Sequence, residues 1–525
     1  MEQLRSLLAE LEHLQRHLTG LLPAAGATGN LKAYIPNLDA ATDRLIALLG
    51  PSPDVIMRRF HQPSGRQGLI CYLDNLVDLN QVDRDILYPL FHDGGAAIRS
   101  LPVGPVTRMT DWDQIVAAIL QGKTAVFLEN IPEVWMIDTA KIPQRSIGRP
   151  ETEIAVRGPQ EAFADVLAIQ LSQLRHRLAT PHLIFEQLTL GSHYPVAVAM
   201  AYLRDVVNPA VRQAVYDRLT RIQAETVVNA TMVASYLRDR PGSFMPTVRN
   251  SERVDLVVWQ LLQGKVAILV DGDPFALWVP TTLCDFYRTT DDYTAPWYNT
   301  TFIRGIRWLA WAFGLYLPAV YIALTEVNPD LVPPPLVILT AGSHTGLPFT
   351  PIVEVLVMIL IIEILREAAL RLPKALSTTI GTVGAIVVGT AVVKAGFVSP
   401  QIIVVMTLTG LSFFTAPSYE VTGTWRLLSW VMLAAAFVYG IYGLVLATIG
   451  LTIKLVSETS LGVPFLTPLA PFRAVDWADT LWRAPWIKFV RRRTDARTRD
   501  TRWGLAPSSP PNPVALRRGQ IDSRP

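Results

Sequence analysis

The chain has 525 residues, of which 50% are hydrophobic and 17% charged, and its formal net charge is +3. That length accommodates two or three domains. Because the long apolar runs come after residue 305, the composition describes a polar half joined to a membrane half and excludes a single soluble domain. Two cysteines, Cys71 and Cys284, are too few for a disulfide framework and suit a reduced cytosolic setting.

Residues 1–50 predict an amphipathic helix followed by a linker. Leucines recur at helical spacing through the first 21 residues, and a Gly/Ala/Pro-rich break follows. Arg5, Glu10, Glu12 and Arg16 interrupt the apolar residues, so the stretch lacks the core of a signal peptide. We expect a docking helix, although an intersubunit or membrane-surface contact also fits the pattern, and a polar half that stays in the cytoplasm.

An internal repeat organises the polar half. The run 119–128 (ILQGKTAVFL) matches 261–270 (LLQGKVAILV) in order and, at most positions, in residue type. Each copy predicts a helix that ends at a glycine and turns directly into a buried strand. Similar apolar runs flank both copies, so we expect two similar α/β subdomains, at about 54–143 and 180–285, joined by a helix over 161–178. The alternative is chance similarity between two common helix-to-strand turns.

Little in the polar half predicts chemistry. Gly122-Lys123 and Gly264-Lys265 both lack the upstream glycine of a phosphate-binding loop. Carboxylates at 271–273 have no histidine cluster beside them, and no nucleophile–base pair appears. The linker at 144–179 alternates charges with chain breakers, which is typical of a segment that pairs with neighbouring surfaces. We therefore expect no catalytic site, metal, cofactor or nucleic-acid partner.

Five apolar segments predict an all-α polytopic membrane domain; they cover 306–324, 352–370, 379–396, 400–417 and 427–449. Arg304 and Arg307 lie at the start of the first, and Arg371 and Lys374 follow the second. The positive-inside rule places both flanks in the cytoplasm.

The C-terminal tail conflicts with five crossings, which would leave it outside. From Arg483 to Pro525 the tail carries 11 basic and 3 acidic residues. Such a tail suits the cytoplasmic face, where it can meet anionic membrane lipid. Either one apolar segment is re-entrant or interfacial, or the chain returns between 449 and 469. The second segment and the prolines before it are the candidates for irregular backbone.

The second segment carries three intramembrane carboxylates, Glu354, Glu363 and Glu367. An acid inside a spanning helix costs about 3 kcal/mol on insertion scales and so indicates function. Glu363 lies roughly 13 Å along the helix from Leu372, close to the bilayer centre. Glu354 and Glu363 point to opposite sides of the helix, whereas Glu363 and Glu367 share a side. The alternative for Glu363 and Glu367 is pairing with Arg366 and Arg371 as a simple anchor.

The third segment sorts its residues onto two faces. One face is a strip of small residues suited to close helix packing, namely Gly381, Ala385 and Gly389. The opposite face is a stripe that also includes Lys394; its other members are Thr379, Val383, Val387 and Thr390. The valines either contact lipid or form a pore constriction that gates by dewetting. Since lipid has no use for two threonines and a lysine on one stripe, we favour the pore.

Scattered motifs resemble the A-subunit family of bacterial spore germination receptors, the GerA type, over roughly residues 54–450. The most specific are Arg157-Gly158-Pro159, Arg175–Arg177, Glu252-Arg253-Val254-Asp255, Asp271–Phe275, Asp292-Tyr293 and the run from Arg366 to Pro373. Ile380–Gly384 and Val398-Ser399-Pro400 also look like the family's. Asp273, Arg149, Thr390 and Lys394 depart from the usual residues. A lysine near the outer pore mouth is awkward for cation release, so Lys394 is expected to snorkel to the headgroups.

The resemblance implies a multi-pass protein of the spore inner membrane with a cytoplasmic N-terminal region. It implies a homo-oligomeric, pentameric ion channel that opens in response to nutrient germinants and releases cations. It also implies two partners, a transporter-like nutrient-sensing subunit and a lipoprotein subunit. A related branch of the family acts as an amplifying channel.

We therefore divide the chain into six regions: 1–50, a helix and linker; 54–143 and 180–300, the α/β subdomains; 144–179, the connection; 304–456, the membrane domain; and 457–525, a basic, partly disordered tail. The leading hypothesis is a germinant-responsive channel subunit. The alternative is a secondary transporter that uses Glu363 as a proton or cation site.

Overall fold

The structure is a computed structural model that describes residues 33–92, 106–141, 148–153, 155, 157–371, 394–489 and 491–503. Its contacts divide the chain into two compact units, residues 1–143 with 178–182, and residues 144–177 with 183–525. Each unit contains one five-stranded sheet.

The first unit is built on the strands β1 (Val55–His61), β2 (Gln67–Leu73), β3 (Val106–Met109), β4 (Lys123–Leu128) and β5 (Val134–Asp138), in the spatial order β1-β2-β4-β5-β3. Its helical segments are α1 (Leu38–Leu49), α2 (Leu79–Gln81, Val82–Leu87 and Tyr88–His92 in succession) and α3 (Trp112–Leu120). Asn37 caps α1 and Asp111 caps α3 through side-chain oxygens. Alternate residues of β2 and β4 enter two separate apolar clusters, one on each sheet face.

The second unit repeats this plan with β6 (Leu183–Leu190), β7 (Val196–Leu203), β8 (Arg249–Ser251), β9 (Val266–Val270) and β10 (Ala276–Val279), in the order β6-β7-β9-β10-β8. Its helices are α4 (Leu167–Arg177), α5 (Pro209–Thr220), α6 (Ala230–Leu237) and α7 (Val254–Leu262). The predicted pair of similar sheet subdomains is confirmed. All pairings in both sheets are antiparallel.

The matching glycines of the repeat occupy the same structural position. Gly122 follows α3 with φ 87° and Gly264 follows α7 with φ 82°. Each donates its backbone N–H to a carbonyl in the last helical turn, Ile119 or Leu261. The connecting helix α4 begins at Leu167, later than expected, because Ala162 pairs instead with Arg253 in an isolated β-bridge.

The apolar half is helical and belongs to the second unit. After a short helix α8 (Asp291–Thr294), it contains α9 (Trp297–Ile322), α10 (Pro334–His344), α11 (Pro351–Arg371), α12 (Pro400–Phe414) and α13 (Tyr419–Ser457). A π-helical turn, Ala323–Val327, extends α9. Within the described residues, Trp297–Val327 and Tyr419–Ser457 are the helices long and apolar enough to cross a membrane.

The helix α13 reverses direction at Gly440, where the backbone is non-helical with φ 62° and ψ −142°. Thr424 near its start donates to the carbonyl of Phe244 at 3.1 Å, and Lys454 near its end lies 5.6 Å from the Phe244 ring. A straight helix would separate Thr424 from Lys454 by roughly 45 Å. The arms 419–439 and 441–457 therefore run antiparallel.

This reversal corrects the expectation of one uninterrupted segment over 427–449. The side chain of Asn328 accepts a hydrogen bond from the backbone N–H of Ile441 at 2.9 Å and so caps the second arm. A Cβ atom at position 440 would lie 1.8 Å from that same Asn328 oxygen. Glycine is therefore required at the turn.

The chain after α13 folds against the second sheet subdomain. It forms the strands β11 (Thr459–Ser460) and β12 (Val463–Pro464) and two 3-10 turns, Ala474–Ala478 and Trp486–Lys488. The carboxylate of Asp239 accepts from the backbone of Leu461 and Gly462, and Leu283 donates to the carbonyl of Phe465. The described part of the tail is therefore folded, and residue 490 and the part beyond Trp503 lie outside the described residues.

Candidate functional site

The predicted pore stripe and packing strip lie outside the described residues. This applies to Thr379, Val383, Val387 and Thr390 and to Gly381, Ala385 and Gly389. Lys394 is described and exposed. The pore-lining role of this segment stays a prediction from the sequence.

Glu354 is the most deeply buried of the three predicted carboxylates, with no exposed surface. One carboxylate oxygen accepts from the backbone N–H of Ser399 at 2.7 Å, and the other lies 2.9 Å from Nδ1 of His344. The far ring nitrogen of His344 is 3.4 Å from the hydroxyl of Tyr321. Glu354 therefore joins the start of α11 to the residue before α12, to the end of α10 and, through His344, to α9.

Glu363 faces a different set of partners. Its carboxylate lies 3.1 Å from Arg366 and 3.5 Å from Arg426 of α13, and about a third of its side chain is exposed. Glu363 and Glu367 line one cleft together with Arg426 and Tyr419, as four-residue spacing on a helix requires. Glu363, which lies nearer the middle of α11, is therefore balanced by two guanidinium groups. Glu354 has no guanidinium group within ion-pair distance in the described residues.

A buried network of ion pairs begins at Lys265, between the helix and the strand of the second repeat copy. Lys265 has no exposed surface, and its Nζ lies 2.6 Å from Asp285 and 3.7 Å from Asp495. Asp285 also contacts Arg288 at 2.7 Å and Arg493 at 3.0 Å. Burial alone would raise the pKa of Asp285, but Lys265 and Arg288 outweigh burial and lower it to about 2.

The same network continues into the first membrane-length helix. Arg304 of α9 contacts Asp292 at 2.9 Å and Asp479 of the tail at 3.0 Å. Arg307 contacts Asp292 at 2.8 Å, and Arg288 donates to the carbonyl of Asp479. We call these residues, from Lys265 to Asp495, the ion network; its members are Lys265, Asp285, Arg288, Asp292, Arg304, Arg307, Asp479, Arg493 and Asp495.

The ion network changes the interpretation of the basic tail. Arg483 donates to the carbonyls of Asp292 and Ala295, Arg492 donates to the carbonyl of Leu262, and Arg493 pairs with Asp285. These three arginines therefore have protein partners, which leaves the expected contact with anionic lipid to other basic residues of the tail. Arg493 reaches Asp285 because a buried acid needs a charged or hydrogen-bonding partner.

Sequence reasoning missed most of this site. Asp292 and Tyr293 were noted only as part of a family resemblance, and His344, Arg426 and Asp479 were not singled out. Signals for two of them were present, since His344 and Arg426 are polar residues within or beside apolar runs. The partners of Asp479 lie about 170 to 190 residues earlier in the chain, so sequence spacing carries no signal for them.

The linker pairs with the second subdomain, as expected from its charges. Glu153 contacts Arg249 at 3.3 Å, and Glu252 accepts from the backbone and hydroxyl of Thr152. Arg253 donates to the carbonyl of Pro159 at 2.8 Å. Several residues of the family-like motifs thus hold the linker in place.

Comparisons with known proteins agree on one family. Residues 43–495 match a family model described as the Bacillus/Clostridium GerA spore germination protein. The chain is 33% identical over 451 residues to spore germination protein KA of Bacillus subtilis strain 168, covering 83% of this chain and 82% of that protein. It is 34% identical over 403 residues to spore germination protein GerLA of Bacillus cereus, covering 77% and 82%.

Two further similarities are to a membrane protein and to a solved N-terminal domain. The chain is 30% identical over 465 residues to the uncharacterized membrane protein YfkQ of Bacillus subtilis strain 168, covering 87% of this chain and 91% of that protein. It is also similar to the crystal structure of the N-terminal domain of the A subunit of the Bacillus megaterium spore germinant receptor GerK3, at 21% identity and a TM-score of 0.37, covering 47% of this chain and 96% of that one. The family match spans most of the chain, which therefore belongs to the GerA family of Bacillus/Clostridium spore germination proteins.

Proposed function

We propose that the chain is the A-type subunit of a germinant receptor and forms, as a pentamer, an ion channel that opens in response to nutrient and releases cations. The observation that carries the proposal is the ion network, which ties a soluble sheet subdomain to the base of a membrane-length helix. Lys265 lies at the start of β9 and Arg304 in α9, and Asp285, Arg288 and Asp479 connect them. A shift in the subdomain is thereby transmitted to the membrane helices.

The helices support a multi-pass arrangement. The far end of α9 meets the turn of α13 through Asn328, while both ends of α13 approach Phe244 in the soluble half. In a bilayer, α9 and the two arms of α13 each cross once. The soluble half and the tail then share one side, which we assign to the cytoplasm by the positive-inside rule. This arrangement removes the conflict between five crossings and a basic tail.

The conduit in this proposal is the segment over 379–396. Its stripe of threonines and valines supplies hydroxyls and an apolar constriction on one helix face. The connection to α12 that follows it, at Ser399, is held by the carboxylate of Glu354. Movement of α11 is therefore passed to the end of the pore segment.

The proposed partners follow from the family. Because the chain belongs to the GerA family of spore germination proteins, we place it as the A subunit beside a transporter-like nutrient-sensing subunit and a lipoprotein subunit. The amplifying-channel branch of the family is the second possible setting. Neighbouring reading frames distinguish them, since the receptor branch requires genes for both partners nearby.

A secondary transporter is the competing function, because Glu363 lines a cleft between membrane helices. Its carboxylate is already paired with Arg366 and Arg426, so binding a cation there would require those pairs to break. A proton-coupled transporter would lose its activity with Glu363→Gln. A channel would keep downhill ion flux in that variant.

The test is flux from vesicles that contain the full-length chain together with its proposed partner subunits. We expect nutrient to start potassium efflux down its gradient, with little effect of a proton gradient. No efflux at normal protein content would contradict the channel. Uphill accumulation driven by protons, abolished by Glu363→Gln, would establish the transporter instead.

A further inference from the structure

Exposed aromatic and aliphatic side chains surround the base of α9. Phe302 and Tyr298 of that helix are 68% and 64% exposed, and Ile487 of the tail is 74% exposed. We call the set the aromatic collar; its members are Trp297, Tyr298, Phe302, Trp482, Trp486 and Ile487. Soluble proteins seldom display so many large apolar groups in one region, so the collar indicates a contact surface.

Arg483 holds the two parts of the collar together. Its backbone N–H donates to the hydroxyl of Thr301 at 3.2 Å, and its guanidinium donates to the carbonyl of Ala295 at 2.9 Å. The guanidinium also lies over the rings of Trp486 and Tyr293, 4.6 and 5.2 Å from their centres. The tail segment around Trp486 is therefore fixed beside the entry of α9.

The position of Thr301 gives the depth of the collar. The uninterrupted apolar part of α9 begins after Arg307, and Thr301 lies roughly 10 Å before Trp308 along the helix axis. The headgroup zone is about 5 to 8 Å thick on each side of the hydrocarbon core. The Thr301 end of the collar thus lies at the outer edge of the headgroup zone, beside the layer where Trp and Tyr are enriched in membrane proteins.

Charge on the same segment favours a lipid occupant. Lys488 and Arg491 are exposed, next to the collar residues Trp486 and Ile487. In contrast, Arg483 is buried and donates to the carbonyl of Ala295, and Arg493 is buried and paired with Asp285. Exposed cations beside interfacial aromatics match an anionic lipid surface.

We propose that the aromatic collar is an interfacial membrane anchor that seats the folded tail among anionic lipid headgroups. The proposal rests on the membrane-spanning role of α9 and α13 given above. It makes the tail a fixed support for α9, because Asp479 and Arg483 hold the helix base while the collar holds the tail on the bilayer.

The test places a nitrobenzoxadiazole fluorophore on a single introduced cysteine of the full-length chain in vesicles that contain phosphatidylglycerol. The native thiols, Cys71 and Cys284, are buried. We expect a label at Ile487→Cys to be quenched several-fold more by a nitroxide near the headgroup than by one deep in the acyl chain. A label at Ile449→Cys, on the exposed face of the second arm of α13, should show the reverse preference.

The negative control is Tyr194→Cys, because Tyr194 is exposed and lies at the end of the second sheet opposite Lys265. It should escape both quenchers. Quenching at 449 without quenching at 487 would overturn the anchor alone, and absence of quenching at both would overturn the membrane domain itself. Protection of position 487 together with crosslinking to a second copy would assign the collar to a protein contact and also overturn the proposal.

Charge reversal provides a second measurement. Lys488→Glu with Arg491→Glu should reduce quenching at position 487 at least twofold in anionic vesicles, and the effect should shrink at high salt. Unchanged quenching in both conditions would contradict the anionic-lipid part of the proposal.

Discussion

Lys123 and Lys265 occupy matching positions in the two copies of the repeat, but their surroundings differ. Lys123 opens β4 in the first copy and is partly exposed, whereas Lys265 precedes β9 and is fully buried between Asp285 and Asp495. The sequence excludes a phosphate-binding loop at both Gly-Lys pairs. In the structure the second lysine is instead the partner of buried acids. A buried ammonium without partners would be strongly destabilising, so the acids around Lys265 are required by its position.

The first prediction concerns acid stability. Asp285 has a folded pKa of about 2, below its ordinary value of 3.8, so its contribution is fully present above about pH 4 and is lost as pH falls through 2. That contribution is about 2 kcal/mol. Burial raises the pKa values of Asp476 and Asp495, so these acids stabilise the fold slightly on first acidification. As the pH is lowered from 7, the measured unfolding free energy should therefore first stay constant or rise. Below about pH 4 it should fall.

The matched variant is Lys265→Met, which removes the closest partner of Asp285. The pKa of Asp285 should rise, so the loss of stability should begin at higher pH than in the wild type. Overlapping pH profiles for the two proteins would contradict the assigned role of Lys265.

The second prediction concerns Glu354. Glu354→Ala leaves the Ser399 N–H without its acceptor, and each buried unsatisfied group costs about 1 to 3 kcal/mol. Glu354→Gln keeps an acceptor oxygen and should lose less. Thermal unfolding of the full chain in detergent should therefore rank wild type above Glu354→Gln, with Glu354→Ala lowest. Equal unfolding temperatures for the two variants would show that the hydrogen bond to Ser399 is unimportant.

The sequence identified Glu354 as an intramembrane acid but assigned more weight to Glu363. The reason is physical, since hydropathy locates a residue along a helix and gives no information about which neighbours cover it. His344 and Ser399 lie 10 and 45 residues from Glu354 in the chain, so the contact becomes visible only when α10, α11 and α12 are assembled.

Among the elements, the hairpin of α13 differs most from expectation. Its apolar run is continuous in sequence, and hydropathy alone predicts a single crossing. The reversal depends on one glycine with a left-handed φ and on the side chain of Asn328, which comes from another element. Glycine is common in membrane helices for packing, so its presence there does not predict a turn.

The third prediction tests that hairpin. Gly440→Ala places a Cβ 1.8 Å from the Asn328 side chain at a backbone angle that favours glycine, so it should destabilise the hairpin by several kcal/mol. The matched control is Gly450→Ala in the same helix, where nothing lies within 4 Å of the added Cβ. Protease access to the tail, measured in membranes, should increase for Gly440→Ala only. Equal access in both variants would contradict the reversal.

The strands show which elements the hydrophobic pattern of the sequence predicts by itself. β4 and β9 are apolar runs that follow a glycine, and each lies where the internal repeat predicts it. β3 and β8 were missed because they have only four and three residues and carry polar side chains such as Arg108 and Asn250. These edge strands depend on pairing with β5 and β10 rather than on their own composition.

At the scale of the whole molecule, the internal repeat and the concentration of apolar runs after residue 305 together predicted a two-sheet soluble half and a helical half. The association of the tail with the second sheet was not predictable, because Arg288, Arg304 and Asp479 meet only through long-range packing. The tail thereby becomes a structural link between the soluble half and α9, in place of a free basic extension.

The proposed channel depends on a conduit at 379–396, and ion release from germinating spores tests that conduit most directly. Val387→Trp should block or slow the release of potassium, and Val387→Ala should change its rate by weakening the apolar constriction. The control is Val393→Trp, which lies about 120° around the helix from Val387, outside both the stripe and the small-residue strip, and should leave release near the wild-type rate. If both Val387 variants release ions at the wild-type rate, with the protein at its normal level, the pore assignment is contradicted.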